Sequence, residues 1–186
     1  MEYKNEETKC DDDNDVIMSL DDDNDSSDRK LFIKSNEEDI FITSPKNAKI
    51  SKLINEILNA DPEAGSNEDD PILLNYIESR PLEIIVKYME HHNGCDDDIP
   101  ERPLRSAEME KILKDSWDAK FCDNLVSKDY QGNVKLLFDV ILASNYMDMN
   151  ELLYKLCAKV ASLLKNKSFD EIHEILNDVR IDTLMT

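Results

Sequence analysis

Glycine is almost missing, with three residues in 186. A phosphate-cradling loop or a glycine-rich oxyanion turn needs several glycines in one short stretch, so neither is available here. Cysteine is scarce too. Cys10, Cys95, Cys122 and Cys157 stand 85, 27 and 35 residues apart with no C-x-x-C pair. That spacing excludes a disulfide-stapled secreted scaffold and offers no four-ligand zinc site. No apolar run approaches the ~18 residues of a membrane span, and "MEYKNEETKCDDD" lacks the apolar core of a signal peptide. The expectation is a reduced cytosolic or nuclear protein, outside membranes and without metal or cofactor. Basic residues are outnumbered, 22 against 42 acids, for a net charge of −20. Nucleic acid and anionic membrane surfaces both demand clustered Lys and Arg, so neither is an expected partner. An acidic surface suits basic protein partners or simply solubility.

The charge is unevenly placed. Residues 1–28 hold twelve acids against two lysines and repeat "DDDND" at 11–15 and 21–25. Counting a calcium loop from Asp11, the ligands Asp13, Asp15 and Asp22 fall in place, but Val16 stands where the loop turn requires glycine. Self-repelling acidic runs stay disordered. Residues 1–29 therefore read as a disordered acidic tail.

Order begins at Lys30. "LFIKSNEEDIFIT" holds two β-type runs, Leu31–Lys34 and Ile40–Thr43, joined by a polar turn as a hairpin. "SPKNAKISKLINEIL" reads as a helix with Ser44 as N-cap, Pro45 at the first helical position and one stripe of Ile50, Leu53, Ile54, Ile57 and Leu58. "ILLNYI" makes a third strand and "PLEIIVKYMEHH" a helix, followed over residues 93–115 by a long charged loop with one helical turn. From Trp117 onward the pattern is helical. Asp148 and Glu151 are spaced as a capping box, and the helix after them is expected to bury Leu152, Leu153, Leu156, Cys157, Val160, Leu163 and Leu164 while Lys155, Lys159 and Lys165 stay wet. Ser168 and Glu171 form a second box before a short helix carrying Phe169, Ile172, Ile175, Leu176 and Val179. Three early strands and several helices make the fold class α+β.

Candidate chemistry is sparse. His91 and His92 end a predicted helix, where imidazolium favours the dipole and solvent, and His173 faces away from its own helix's apolar stripe. Cysteine–histidine pairs, Cys122 with His91 or Cys95 with His92, are the one nucleophilic arrangement to consider. Cys157 on an apolar stripe reads as a small core residue. What the sequence has in surplus is apolar helical surface. From Leu136 to Ala143 only Asp139 is charged, so apolar side chains point to every side of a helix that ordinarily keeps one face wet. Either the domain encloses this helix, or one of its faces is covered by a partner.

Several motifs lie at matching spacings. They are Ile40-Phe41 followed by Ala48-Lys49, Ser51, Ile54 and Leu58; "KYMEHH" before an acidic proline-bearing loop; Trp117-Asp118 with Phe121; "LFDVILASNYMD"; and "LLYKLCAKVASLLKNKSFDEI". Over residues 30–176 they resemble the Skp (S-phase-kinase-associated) adaptor family of SCF-type ubiquitin ligases, relatives of elongin C with a BTB/POZ fold. Asn150-Glu151 depart from the family's Lys-Gly, and Phe169 replaces its proline. The chain ends at "NDVRIDTLMT", where the family continues into a last helix.

The resemblance implies a BTB/POZ-like domain over residues 30–147 with a small N-terminal sheet. Residues 148–186 become the helical F-box-binding-like extension, shortened at its end. It also implies a non-enzymatic adaptor, joining F-box substrate receptors to a cullin scaffold in the cytoplasm and nucleus. Asn145 and Tyr146 match the cullin-facing Asn-Tyr, and Cys157, Leu164, Phe169, Ile172 and Ile175 would face the F-box. The alternatives are an elongin C-like or other BTB interaction module and, from a different class, a cysteine-dependent hydrolase.

Overall fold

The computed structural model describes residues 29–126 and 134–176. The tail expected over residues 1–29, all but Arg29, lies outside the described residues, as does Val179. β1 (Leu31–Ser35) alternates with a period of two, which puts Leu31, Ile33 and Ser35 on the core side. It pairs antiparallel with β2 (Ile40–Thr43) as the predicted hairpin, Leu31 opposite Thr43 and Lys34 opposite Ile40. β3 (Ile72–Leu74) joins the other edge of β1 in parallel, giving the order β2-β1-β3.

A parallel neighbour requires a crossover, and α1 (Pro45–Ala48) and α2 (Lys52–Ala60) lie within it. Ser44 caps α1 and Pro45 opens it as predicted. The single helix expected from Ser44 is nevertheless two. Ser51 interrupts it by accepting the Ile54 N–H as a second N-cap, while its own hydroxyl donates to the Met147 carbonyl. Of the predicted stripe, Ile54 is fully buried and Ile50, Leu53, Ile57 and Leu58 pack half-buried around it.

α3 (Ser79–His92) buries Leu82, Ile85, Val86, Tyr88 and Met89 and packs between the sheet and α5. Asn93 ends it in the left-handed conformation, φ 52°, with its N–H on the Met89 carbonyl. Gly94 follows at φ +85°, where any Cβ would run into the Lys46 carbonyl. The charged stretch after it contains one 3₁₀ turn, Met109–Lys111.

Four helices complete the described chain: α4 (Ser116–Asn124), α5 (Lys135–Tyr146), α6 (Asn150–Leu164) and α7 (Phe169–Leu176). α5 packs on α3 and α6, and α4 on α6. The Ser168 box forms in both directions. The Ser168 N–H donates to Glu171 at 2.9 Å, and the Glu171 N–H donates to the Ser168 hydroxyl at 3.3 Å. Those bonds and Lys167 bring the Glu171 carboxyl down to about 2. The Asp148 box does not form. Asp148 sits at φ 50° and its carboxylate accepts from the Asn150 amide, leaving Met149 as N-cap without a side-chain bond. The backbone of this corner is instead tied to α2, through Lys52 N–H to the Asp148 carbonyl and Leu53 N–H to the Met147 carbonyl.

The architecture is α+β, a small sheet covered by helices with a helical extension, as the sequence predicts. No helix among the described residues is long and apolar enough to cross a membrane. Cys122 and Cys157 are free thiols.

Candidate functional site

α5 answers the question raised by its own composition. Leu137, Val140, Ala143 and Ser144 turn into the core, together with Met147 just beyond. The opposite side is open: Leu142 is 43% and Tyr146 37% exposed, and Asn145 is exposed between them. Leu142, Asn145 and Tyr146 fall at i, i+3 and i+4, so they share one face. Beside them stands Tyr76, 81% exposed, its ring edge-on to Tyr146 with centroids 5.4 Å apart. Sequence reasoning missed Tyr76, which lies in a turn where no periodicity operates. The sequence reading had carried the third strand through it, but β3 ends at Leu74.

A second open surface lies on α6 and α7. Cys157 is exposed, correcting its reading as a core residue, and Leu164 is half-buried. On α7 no residue is fully buried; Phe169 is 80% exposed, and Ile172 and Ile175 are half-buried. The structure thus separates the sequence-predicted residues into two groups, Asn145 and Tyr146 on α5 and the other five on α6 and α7.

Beneath the inward side of α6 lies a cluster that sequence reading placed in solvent. Lys155 is completely buried, and all three of its ammonium protons are engaged. They go to Asp96 at 2.7 Å, Asp118 at 2.5 Å and the Tyr88 hydroxyl at 3.1 Å. Tyr88 in turn donates to Asp96. His92, expected in solvent, bonds Asp118 at 2.9 Å. His91 stacks on Trp117 with centroids 3.8 Å apart and bonds Asp115 at 3.1 Å. Lys159 is buried too and reaches Asp123 at 2.8 Å.

Charge in a dry site survives only when paired and hydrogen-bonded. Burial works against the Asp118 anion, but the bonds from His92 and Lys155 outweigh it and hold the carboxyl below its usual range. Burial likewise opposes the Lys155 cation, and Asp118 and Asp96 more than compensate, so its pKa is raised. Tyr88 is pushed strongly upward by burial and by Asp96, which keeps it a neutral donor. His92, Asp96 and Asp118 offer ligand-type atoms within 4.8 Å of one another. The Lys155 ammonium already lies against both carboxylates, so the cation of this cluster is a side chain.

The nucleophilic arrangement is not assembled. Cys122 is buried and burial pushes its thiol up to about 12, the reverse of what an attacking thiolate needs. Burial also raises Cys157, against a smaller opposing effect of Arg102. Both histidine Nε2 atoms are engaged by aspartates. What the geometry offers is two open apolar surfaces on an α+β fold, the equipment of a protein-interaction module.

The comparisons place that module. The Skp1 family, tetramerisation domain, matches residues 29–94. The S-phase kinase-associated protein 1 homolog of Tetrahymena thermophila is 34% identical over 153 residues, covering 82% of this chain and 84% of its own. Suppressor of kinetochore protein 1 of Schizosaccharomyces pombe is 30% identical over 80% of this chain and 83% of its own. The E3 ubiquitin ligase complex SCF subunit sconC of Talaromyces marneffei is 31% identical over 70% and 72%. The chain belongs to the Skp1 family.

Proposed function

We propose that this protein is a non-catalytic adaptor of an SCF-type E3 ubiquitin ligase, linking F-box substrate receptors to a cullin scaffold. The observation that carries the reading is family membership over most of the chain, joined to two separate open surfaces on one body. The α5 end, with Asn145, Tyr146 and Leu142, is the cullin-facing surface. Cys157, Leu164, Phe169, Ile172 and Ile175 on α6 and α7 form the receptor-facing surface. Residues 30–147 act as the BTB/POZ unit and 148–186 as the receptor-binding extension, working in the cytoplasm and nucleus.

No bond is made or broken by the adaptor itself. Holding receptor and scaffold together makes ubiquitin transfer to a bound substrate effectively intramolecular, and that raises the local concentration of the reacting groups. The test is reconstitution with a purified cullin N-terminal region and an F-box domain. A ternary complex is expected, along with binary binding to each partner alone. Cullin binding without F-box binding would point to an elongin C-like role, and binding to neither would end the adaptor reading.

A further inference from the structure

Helix α6 carries apolar side chains on more than one face, so hydrophobicity alone does not set its rotation. Leu153, Cys157, Val160 and Leu164, at i, i+4, i+7 and i+11, form the more apolar stripe, yet Cys157 is exposed and the other three are only half-buried. The face turned fully inward holds Leu152, Lys155, Leu156, Ala158, Lys159 and Ser162. At 3.6 residues per turn the centres of the two faces lie roughly two-fifths of a turn apart. The inward face contributes Leu152 and Leu156 to the core and Val160 of the stripe packs against its edge, so carbon burial does not by itself decide between the two settings.

Two lysines one turn apart on α6 bear on that choice. Lys155 is locked to Asp118 of α4 and to Asp96 beyond α3, both carboxylates almost completely shielded. Lys159 is bonded to Asp123, further along α4 and partly solvated. A buried ion pair adds little stability over well-packed hydrophobic groups of similar volume, and its best-attested use is to fix register. We propose that Lys155, with Asp96 and Asp118, is a rotational key that turns the Leu153–Cys157–Val160–Leu164 stripe of α6 outward, toward the F-box receptor. Lys155 is a positioning residue, since it lies beneath the surface and touches no partner. The inference rests on the receptor-facing assignment of α6 proposed above.

The thiol of Cys157 reports the rotation directly. In the charge-free variant Lys155→Leu/Asp96→Asn/Asp118→Asn, native-state alkylation of Cys157, followed by peptide mass mapping, should slow at least tenfold as the stripe turns in. Affinity for a purified F-box domain should fall at least tenfold while cullin affinity stays within twofold, because Asn145 and Tyr146 lie on α5. A cooperatively folded variant with wild-type labelling and wild-type F-box affinity overturns the key. Should the triple variant not fold, Asp96→Asn alone, which leaves the Lys155–Asp118 pair, should slow Cys157 labelling at least twofold; an unchanged rate refutes the proposal. A wild-type chain that binds no F-box domain removes the receptor reading, while the labelling result still decides whether the key exists.

Discussion

The Ser51 hydroxyl donates to the carbonyl of Met147 at 2.7 Å, across 96 residues of sequence, while accepting the N–H of Ile54. One buried oxygen thus caps α2 and anchors the corner between α5 and α6. Deleting it removes an N-cap and weakens the satisfaction of a buried carbonyl, losses of roughly 1 kcal/mol and 1–3 kcal/mol. Ser51→Ala should therefore destabilise the fold by about 2–3 kcal/mol in urea unfolding. A change below 0.5 kcal/mol would mean that the corner is held by the backbone bonds from Lys52 and Leu53 alone.

The Lys155 cluster gives stability a predictable pH dependence. The Asp118 carboxyl is held below its usual range in the fold, so the folded state keeps its proton off where the unfolded chain would take one up. Such a group contributes stability above the unfolded value near 3.9, and the contribution drains away as pH falls through the lower folded value. Lys155, with a raised pKa, contributes below its unfolded value near 10.4 and loses that contribution as pH rises through its folded value. Asp118→Asn should be clearly less stable than the wild type at pH 7, with the difference shrinking below about pH 4. Parallel stability curves from pH 7 to pH 2 would contradict this account of Asp118.

Much of the fold was legible because local rules and tertiary packing agree. The hairpin, the Ser44 cap with Pro45 and the Ser168–Glu171 box are all short-range devices, and each forms where the residues put it. Apart from the Asp148 box, lost to a left-handed turn and the adjacent Asn150 amide, the failures come from long-range partners. Ser51 reads as an ordinary helix residue until Met147, far along the chain, engages its hydroxyl. Lys155 and Lys159 read as solvent-facing because a helical lysine normally is; only the fold brings Asp96, Asp118 and Asp123 beneath them. Placing Cys157 inside was the same error seen from the other face of α6. Tyr76 was read into the third strand, which ends at Leu74, and only the structure sets it against Tyr146.

The Tyr76–Tyr146 pair bears on the scaffold surface. Tyrosines are enriched among the residues that dominate binding energy, and truncating a central one costs about 2 kcal/mol or more. Placing lysines at Asn145 and Tyr146 should weaken cullin binding at least tenfold with the melting temperature unchanged within about 2 °C, since both side chains are exposed. Tyr76→Ala should weaken it less, because it removes a flanking ring while Tyr146 remains. A folded double variant with unchanged cullin affinity would move the scaffold surface away from the end of α5.

Phe169 offers the cleanest separation of receptor binding from folding. It opens α7 with 80% of its surface exposed, so the fold gains almost nothing from its ring. An aspartate at the first position of a helix is favourable, because a negative charge there complements the unsatisfied N–H groups and the helix dipole. Phe169→Asp should thus leave the melting temperature unchanged or slightly raised. In an interface the same substitution forfeits the burial of an aromatic side chain, on the order of 1.5–3 kcal/mol, and adds the cost of desolvating a carboxylate. Calorimetric titration with an F-box domain should show affinity reduced at least tenfold, while cullin binding through the α5 surface is unaltered. Unchanged F-box affinity in this variant would mean that the open apolar side of α7 is covered by something other than the receptor.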